Sequence, residues 1–195
     1  VQSLKPLDEL LRFPPKFLVY HPTIKNYTDL FRLMSTSWVP FSRYIFNTVL
    51  ITVAGTGGNL VLASLAAYVF AKMRFPGRNA MFNLIVYSLM FHATAGAISS
   101  FIFVPSLGMV NTYWSIIIPA WGSTLGLYLM KQFMDSSVSD AVLESARLDG
   151  CKEFMIFLQI AMPMVKPAWL TLIVYSFQGL WNTGSSIYIY SEQLK

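Results

Sequence analysis

Charged and hydrogen-bonding residues crowd into one short stretch, Glu144-Ser145-Ala146-Arg147-Leu148-Asp149-Gly150, followed by Pro163 and Pro167. Residues 135–162 hold Asp135, Asp140, Glu144, Asp149 and Glu153, balanced by Arg147 and Lys152. The stretch has no nucleophile paired with a base and no carboxylate pair at membrane depth. It also lacks a metal-ligand cluster, so no reaction centre is expected in it. With Cys151 as the sole cysteine, an internal disulfide framework and a multi-cysteine metal site are both excluded. Gly55, Gly57 and Gly58 are not followed by Gly-Lys-Ser/Thr, so they form no nucleotide loop. The chemistry left to the stretch is recognition. Small Ser145 and Ala146 beside Glu144 suit close docking in a partner's groove, where the plainer alternative is a solvated loop.

The segments around this island are apolar. The chain is 195 residues long, 55% apolar and 12% charged, with mean hydropathy +0.53. Soluble domains carry about 25% charged residues. No Asp, Glu, Lys or Arg occurs in residues 44–71, 79–130 or 167–191. A helix needs about 20 apolar residues to cross the hydrocarbon core. The first and third gaps therefore predict one span each, and the second predicts two. Barrel strands alternate apolar and polar residues, whereas residues 45–70 and 80–91 are apolar on every side. The expected fold class is an all-α membrane protein with four transmembrane helices in this chain. The spans are expected at 44–71, 79–99, 113–134 and 164–185, with an outer turn over 101–112 at Pro105 and Gly108.

Lys72-Met73-Arg74-Phe75-Pro76-Gly77-Arg78 carries three positive charges and no acid, which predicts a cytoplasmic loop. Alternation then makes 135–162 cytoplasmic as well. The net charge of +5 is scattered along the chain rather than gathered on one face, which argues against nucleic acid. Residues 1–43 are punctuated by prolines and rich in aromatics, as suits an extracytoplasmic or interfacial amphipathic segment. Short helices are expected there at 4–13 and 26–34, the second capped by Thr23 or Asn26. Residues 44–195 form the expected transmembrane domain. The chain begins at Val1 without methionine or signal peptide, and both ends look cut from a longer protein.

Within the island, Ser139 is expected to cap a first helix and Gly150 to close it in a left-handed conformation. A second helix over 151–162 would carry Phe154, Phe157, Leu158 and Ala161 on one apolar stripe, before Pro163 and Pro167 bend the chain. Small residues in the first span, from Gly55 to Ala71, favour close helix packing. His92 falls inside a span, where it serves either helix packing or transport chemistry. Trp114 and Trp169 suit an interfacial belt. Gln178, Trp181 and Asn182 join an aromatic face to amide groups, which suits a hydroxylated ligand or, equally, bonding between helices.

Glu144-Ser-Ala-Arg-Leu-Asp149-Gly150, then nine residues, Ile160-Ala-Met-Pro163 and Pro167 resemble the EAA motif. That motif marks the membrane subunits of binding-protein-dependent ABC importers. Lesser echoes point to the carbohydrate-uptake permeases of the maltose-transport type. These include Pro22-Thr23-Ile-Lys-Asn26-Tyr27, Asn47-Thr48, Ala67-Tyr68 before Phe75-Pro-Gly77-Arg78, Leu107-Gly108-Met-Val-Asn111-Thr112 and Trp181-Asn182. Ser145 stands where the family has alanine, and Ser139 where it usually has proline.

The resemblance implies a permease helix bundle of about six spans in a bacterial cell membrane, of which this chain holds four. The island would be the coupling elbow that docks on a separate ATPase through Glu144, Ser145, Ala146, Asp149 and Gly150. Gln178, Trp181, Asn182 and His92 are candidates for the substrate path. Implied partners are a second permease subunit, an ATPase dimer, an extracytoplasmic solute-binding protein, a sugar or oligosaccharide, and the lipid bilayer. The chain itself would bind no cofactor and be no enzyme, since ATP and Mg would belong to the partner ATPase. A non-sugar importer is the alternative within the family. Outside it stands a membrane channel or enzyme whose elbow binds a regulator.

Overall fold

A computed structural model describes residues 2–6, 9, 13, 19, 21–35, 40–90, 93–183 and 189. Among them are helices and turns and no strand, as the unbroken apolar runs require. The chain divides into two compact units, Val1–Phe46 and Asn47–Lys195.

In the first unit, helix α1 spans Lys25–Ser35. Thr23 Oγ1 accepts the Lys25 N–H at 3.2 Å, so Thr23 supplies the cap. Asn26 instead donates to the carbonyls of Ser3 and Lys5 at 2.9 and 2.7 Å, fastening the turn at Gln2–Leu4 to α1. Most of the helix expected at 4–13 lies outside the described residues.

Helix α2, Phe41–Lys72, continues for 32 residues. The loop after it turns through Gly77 at φ 83°. Arg78 folds back to donate to the carbonyls of Phe70 and Ala71 at 2.6 and 3.0 Å. A cation there satisfies the last orphan carbonyls at the negative end of the helix dipole. The remaining helices are α3, Arg78–Ser88; α4, Ala93–Ser106; α5, Trp114–Trp121; α6, Thr124–Ser137; α7, Asp140–Leu148; α8, Glu153–Met164; and α9, Lys166–Trp181.

Among the described residues, α2 alone is long and apolar enough to cross a membrane as a single helix. The pair α8 and α9 meets the same criterion together but is bent by 83°. Two of the four expected spans are therefore not continuous helices. The one expected at 79–99 breaks after Ser88, where the Leu89 and Met90 N–H groups bond three residues back to Val86 and Tyr87. The one expected at 113–134 breaks at Gly122 and Ser123, because Ser123 Oγ caps α6 through the Gly126 N–H at 3.1 Å. The turn expected over 101–112 starts later. Helix α4 carries Pro105 in its last turn, and Gly108 (φ 67°) and Asn111 (φ 59°) then reverse the chain.

Burial along α2 runs opposite to that of a helix in a soluble protein. Thr52, Gly55, Thr56, Asn59, Ala63, Ser64 and Ala67 face inward, while Phe46, Val49, Val53 and Val61 face outward. In an apolar solvent nothing drives large aliphatic groups inward. Small side chains that permit close approach occupy the interface instead, and polar ones can bond across it; the buried hydroxyls of Thr52 and Thr56 have no partner among the described residues. Asn59 Nδ2 donates to Ser176 Oγ of α9, and Trp121 Nε1 donates to the Ala54 carbonyl at 3.1 Å. Gly58 makes room for that indole, since a Cβ there would lie 2.0 Å from Trp121 Nε1. Gly55 similarly admits Leu180, and Gly126 admits Leu172.

A Cβ at Gly57, unlike one at Gly58, would meet nothing within 4 Å. Gly58→Ala should therefore destabilise the purified protein by about 1–3 kcal/mol, because Trp121 must move and give up its hydrogen bond. Gly57→Ala should be neutral or slightly stabilising, since alanine is the better helix former. Thermal unfolding of both variants in the same detergent checks the contrast.

Candidate functional site

The island forms an elbow of α7 and α8 beyond the charged end of α2. Ser139 holds the extended N-cap backbone expected of it (φ −73°, ψ 134°), but its hydroxyl makes no capping bond. Asp140, in the first turn, pairs with Lys72 Nζ at 2.8 Å. A carboxylate there also suits the positive end of the helix dipole. At the other end Gly150 adopts φ 81°. Its N–H bonds the Arg147 carbonyl at 3.0 Å, and the Cys151 N–H reaches back to Ala146, also at 3.0 Å. This pair of bonds is the Schellman closure, in which a left-handed residue is inexpensive only for glycine.

Helix α7 turns Leu143 (1% exposed) and Ala146 (7%) into the chain's own core. They meet a cluster containing Ala67 and Ala71 of α2, Met130 and Met134 of α6, and Ile156 and Phe157 of α8. The opposite face presents Glu144, Ser145 and Leu148, three and four residues apart, and Leu148 is 89% exposed. Asp149 and Gly150 are exposed beside them. Of the five residues expected to dock, four are therefore available at the surface, and Ala146 is buried against the core. Helix α8 differs from expectation too. A π-helical turn at Phe157–Ala161 shifts its register, so Ile156, Phe157, Ala161 and Val165 are buried while Phe154 and Leu158 are exposed. The predicted four-residue stripe is split between the two faces.

One carboxylate joins three elements. Glu153, at the start of α8, accepts Arg147 Nε at 2.5 Å on Oε1 and Arg147 Nη2 at 3.4 Å on Oε2. Its Oε2 also accepts the hydroxyl of Tyr68 of α2 at 3.0 Å. The Tyr68 ring packs edge-on against Phe157, with centroids 5.4 Å apart. The hydrogen bond from Arg147 holds the Glu153 carboxyl below its ordinary value; burial opposes this, and Tyr68 adds to the lowering. The same bond holds the Arg147 guanidinium above its ordinary value. The bond from Lys72 lowers Asp140. An open cleft of about 750 Å³ is lined by Lys72, Arg74 and Arg78 together with Asp140, Glu144 and Arg147.

The candidate path residues lie near the C-terminal end of α9. Gln178, Trp181 and Asn182 are all exposed. Trp181 stacks on Phe177 with centroids 5.3 Å apart, and Asn182 Nδ2 donates to the Gln178 carbonyl of its own helix at 2.9 Å. The bond between helices is made instead by Ser176, on the opposite side of α9, with Asn59. His92 lies outside the described residues. Sequence reasoning missed Leu143, Tyr68 and the Arg147–Glu153 pair. The available signal was Tyr68, a polar-tipped aromatic one turn before Lys72 at the end of an apolar helix. Among the described residues, no group of three His, Cys, Asp or Glu side chains is placed to hold a metal ion.

A profile of the family described as "Binding-protein-dependent transport system inner membrane component" matches residues 59–191. The chain is 34% identical to protein LplC of Bacillus subtilis (strain 168), over 72% of this chain and 50% of that one. It is 32% identical to the polygalacturonan/rhamnogalacturonan transport system permease protein YtcP of the same organism, over 76% of this chain and 54% of that one. It is 31% identical to the arabinooligosaccharides transport system permease protein AraQ, also of that organism, over 92% of this chain and 63% of that one. The chain thus spans between half and two thirds of the length of these relatives. A crystal structure of a bacterial ABC transporter involved in the import of the acidic polysaccharide alginate superposes with TM-score 0.80 at 22% identity. The superposition covers 99% of this chain and 67% of that one, and at this identity it establishes the fold alone.

The lowered Glu153 value fixes the sign of a pH effect. A carboxyl depressed on folding stabilises fully above its unfolded value, about 4.3 for glutamate. That contribution is lost as pH falls through the lower folded value. The stability difference between the parent and Glu153→Gln should therefore be constant from about pH 5 to 8 and shrink below about pH 4.3. Because the pair is partly exposed, the plateau difference should be about 1 kcal/mol or less. Thermal unfolding of both proteins across this range measures it.

Proposed function

The chain belongs to the family of binding-protein-dependent transport system inner membrane components, and we propose that it is a transmembrane subunit of an ABC importer for a sugar or oligosaccharide. The observation that carries this reading is the elbow. Four motif residues, Glu144, Ser145, Asp149 and Gly150, lie exposed on a short helix whose other face is anchored in the chain's own core. The names of YtcP, a polygalacturonan/rhamnogalacturonan transport permease, and AraQ, an arabinooligosaccharides transport permease, support the solute class.

In this reading the chain crosses a bacterial cytoplasmic membrane four times, with the second and third crossings made by the helix pairs α3 with α4 and α5 with α6. The elbow lies on the cytoplasmic side and docks on a partner ATPase, whose nucleotide and Mg supply the energy. A second permease subunit and an extracytoplasmic binding protein complete the importer. ATP closes the ATPase dimer, the elbow moves with it, and the spans expose a cavity to alternate sides. The exposed aromatic and amide face of Gln178 and Trp181 contributes to the solute route, where an indole face and an amide together suit sugar hydroxyls.

The reading is tested in the complete protein, expressed with its neighbouring transport subunits. Glu144→Lys reverses a charge on the docking face, and Gly150→Arg adds bulk and strain at a left-handed backbone position. Both variants should insert into the membrane as the parent does. Each should lower solute uptake at least about tenfold, a coupling loss of ~1.4 kcal/mol or more. Uptake at the parental rate in both would exclude docking through this surface.

A further inference from the structure

We propose that the Tyr68–Glu153–Arg147 cluster is the joint through which movement of helix α7 is passed to the long helix α2, with Glu153 as the positioning residue. The inference rests on the importer reading above and adds to it the route by which the elbow moves a span.

The backbone at either end of α7 is poorly suited to transmit force. Val138 and Ser139 are extended at one end, and Gly150 is left-handed at the other, so a few torsions separate α7 from α6 and α8. The apolar cluster that holds Leu143 and Ala146 with the alanines of α2 is non-directional. Packed helices slide past one another in such contacts at little cost. Directional bonds oppose sliding, and these gather at Glu153. Its carboxylate is fixed by Arg147 from α7 and by the Tyr68 hydroxyl from α2. Tyr68 is 3% exposed and the Glu153 side chain that accepts its bond is 43% exposed, so water competes with the bond from the carboxylate side alone. The other tie, Lys72 to Asp140, ends on a carboxylate side chain that is 73% exposed, where water and salt weaken it. Tyr68 and Lys72 stand one turn apart on α2; Lys72 holds the N-terminal end of α7 directly, and Tyr68 holds its C-terminal end through Glu153 and Arg147. The stronger grip lies at the end carrying Gly150 and the docking residues.

The test uses the complete permease, assembled with its partner subunits. Cys151→Ser removes the exposed native thiol, and Val61→Cys on α2 and Gln159→Cys on α8, both exposed, carry nitroxide labels. Pulsed electron resonance then reads the distance between them without nucleotide and with MgATP plus vanadate. In the parent one narrow distance should persist in both states, because elbow and helix move as one body. Tyr68→Phe keeps the ring against Phe157 and removes only the hydroxyl. It should match the parent without nucleotide and shift or broaden by more than about 2 Å once nucleotide is trapped, beyond ordinary interface helix shifts. Glu153→Ala should behave like Tyr68→Phe, whereas Glu153→Gln, which keeps an acceptor oxygen for Tyr68, should stay close to the parent. A purely structural role would not separate Gln from Ala in the trapped state alone. Parental distances in both Tyr68→Phe and Glu153→Ala with nucleotide trapped would overturn the joint, as would separation of the labels in the parent. If the ATPase fails to co-purify with the parent, the importer reading itself falls.

Discussion

A helix that lies in lipid satisfies its backbone from within, and its neighbours are then held by whatever its side chains offer across the interface. Helix α2 offers glycine, alanine, threonine and asparagine on its inner face. The arrangement of the second unit follows from that choice. Trp121 lies close against Gly58 and bonds the Ala54 carbonyl, Leu180 enters over Gly55, and Ser176 meets Asn59. Past Asn59 the inner face changes to Ala63, Ala67 and Ala71, and the bonding partners give way to Met130, Met134, Leu143 and Ile156. One helix thus carries two interfaces: a polar one along its middle, and an alanine-lined one toward Lys72, where the Tyr68 and Lys72 bonds reach the elbow.

The breaks within the second and third expected spans have a local cause. Ser123 can cap a helix because its oxygen replaces an intrahelical partner for the Gly126 N–H, so the backbone loses little by stopping and restarting there. Leu89 and Met90 bond three residues back, a tightening usual at helix ends. Where backbone groups are satisfied by caps and tight turns, a chain in an apolar setting need not be straight. An 83° bend at Val165 between α8 and α9 belongs to the same economy, with Pro167 in the first turn of α9 where its missing N–H removes no intrahelical bond.

Features that depend on one residue's backbone or on bulk composition were legible in the sequence. Gly150 at a helix end, Thr23 before a helix and the long charge-free run before Lys72 belong to that class. Features that depend on register were not. Hydropathy reports that residues 79–99 and 113–134 are apolar, yet it does not report whether an apolar run is one helix or two. A period of 3.6 residues groups Phe154, Phe157, Leu158 and Ala161 on one stripe, but with the π-helical turn at Phe157–Ala161 only Phe157 and Ala161 are buried, and Phe154 touches Phe157 from the exposed side. The bonding role of Tyr68 was not legible, for a different reason. Its ring fits an apolar pattern, and only the fold brings Glu153, 85 positions away, to its hydroxyl.

The two small residues of the motif, Ala146 and Gly150, serve different physical ends. Ala146 is buried in the core cluster that α7 shares with the alanines of α2 and the methionines of α6, and Gly150 is glycine because its φ of 81° excludes a Cβ at low cost. Neither requirement involves a partner. Both set the elbow's shape before anything docks, and Glu153 braces the turn between its helices, where the backbone alone would leave a few torsions free. Ordering a flexible side chain on binding costs about 0.5–1.5 kcal/mol, and ordering a loop costs more. An elbow already held by its own core avoids that loss. In the proposed complex, the motif's internal residues therefore act by pre-organising the surface, leaving Glu144, Ser145, Leu148 and Asp149 to carry the contact.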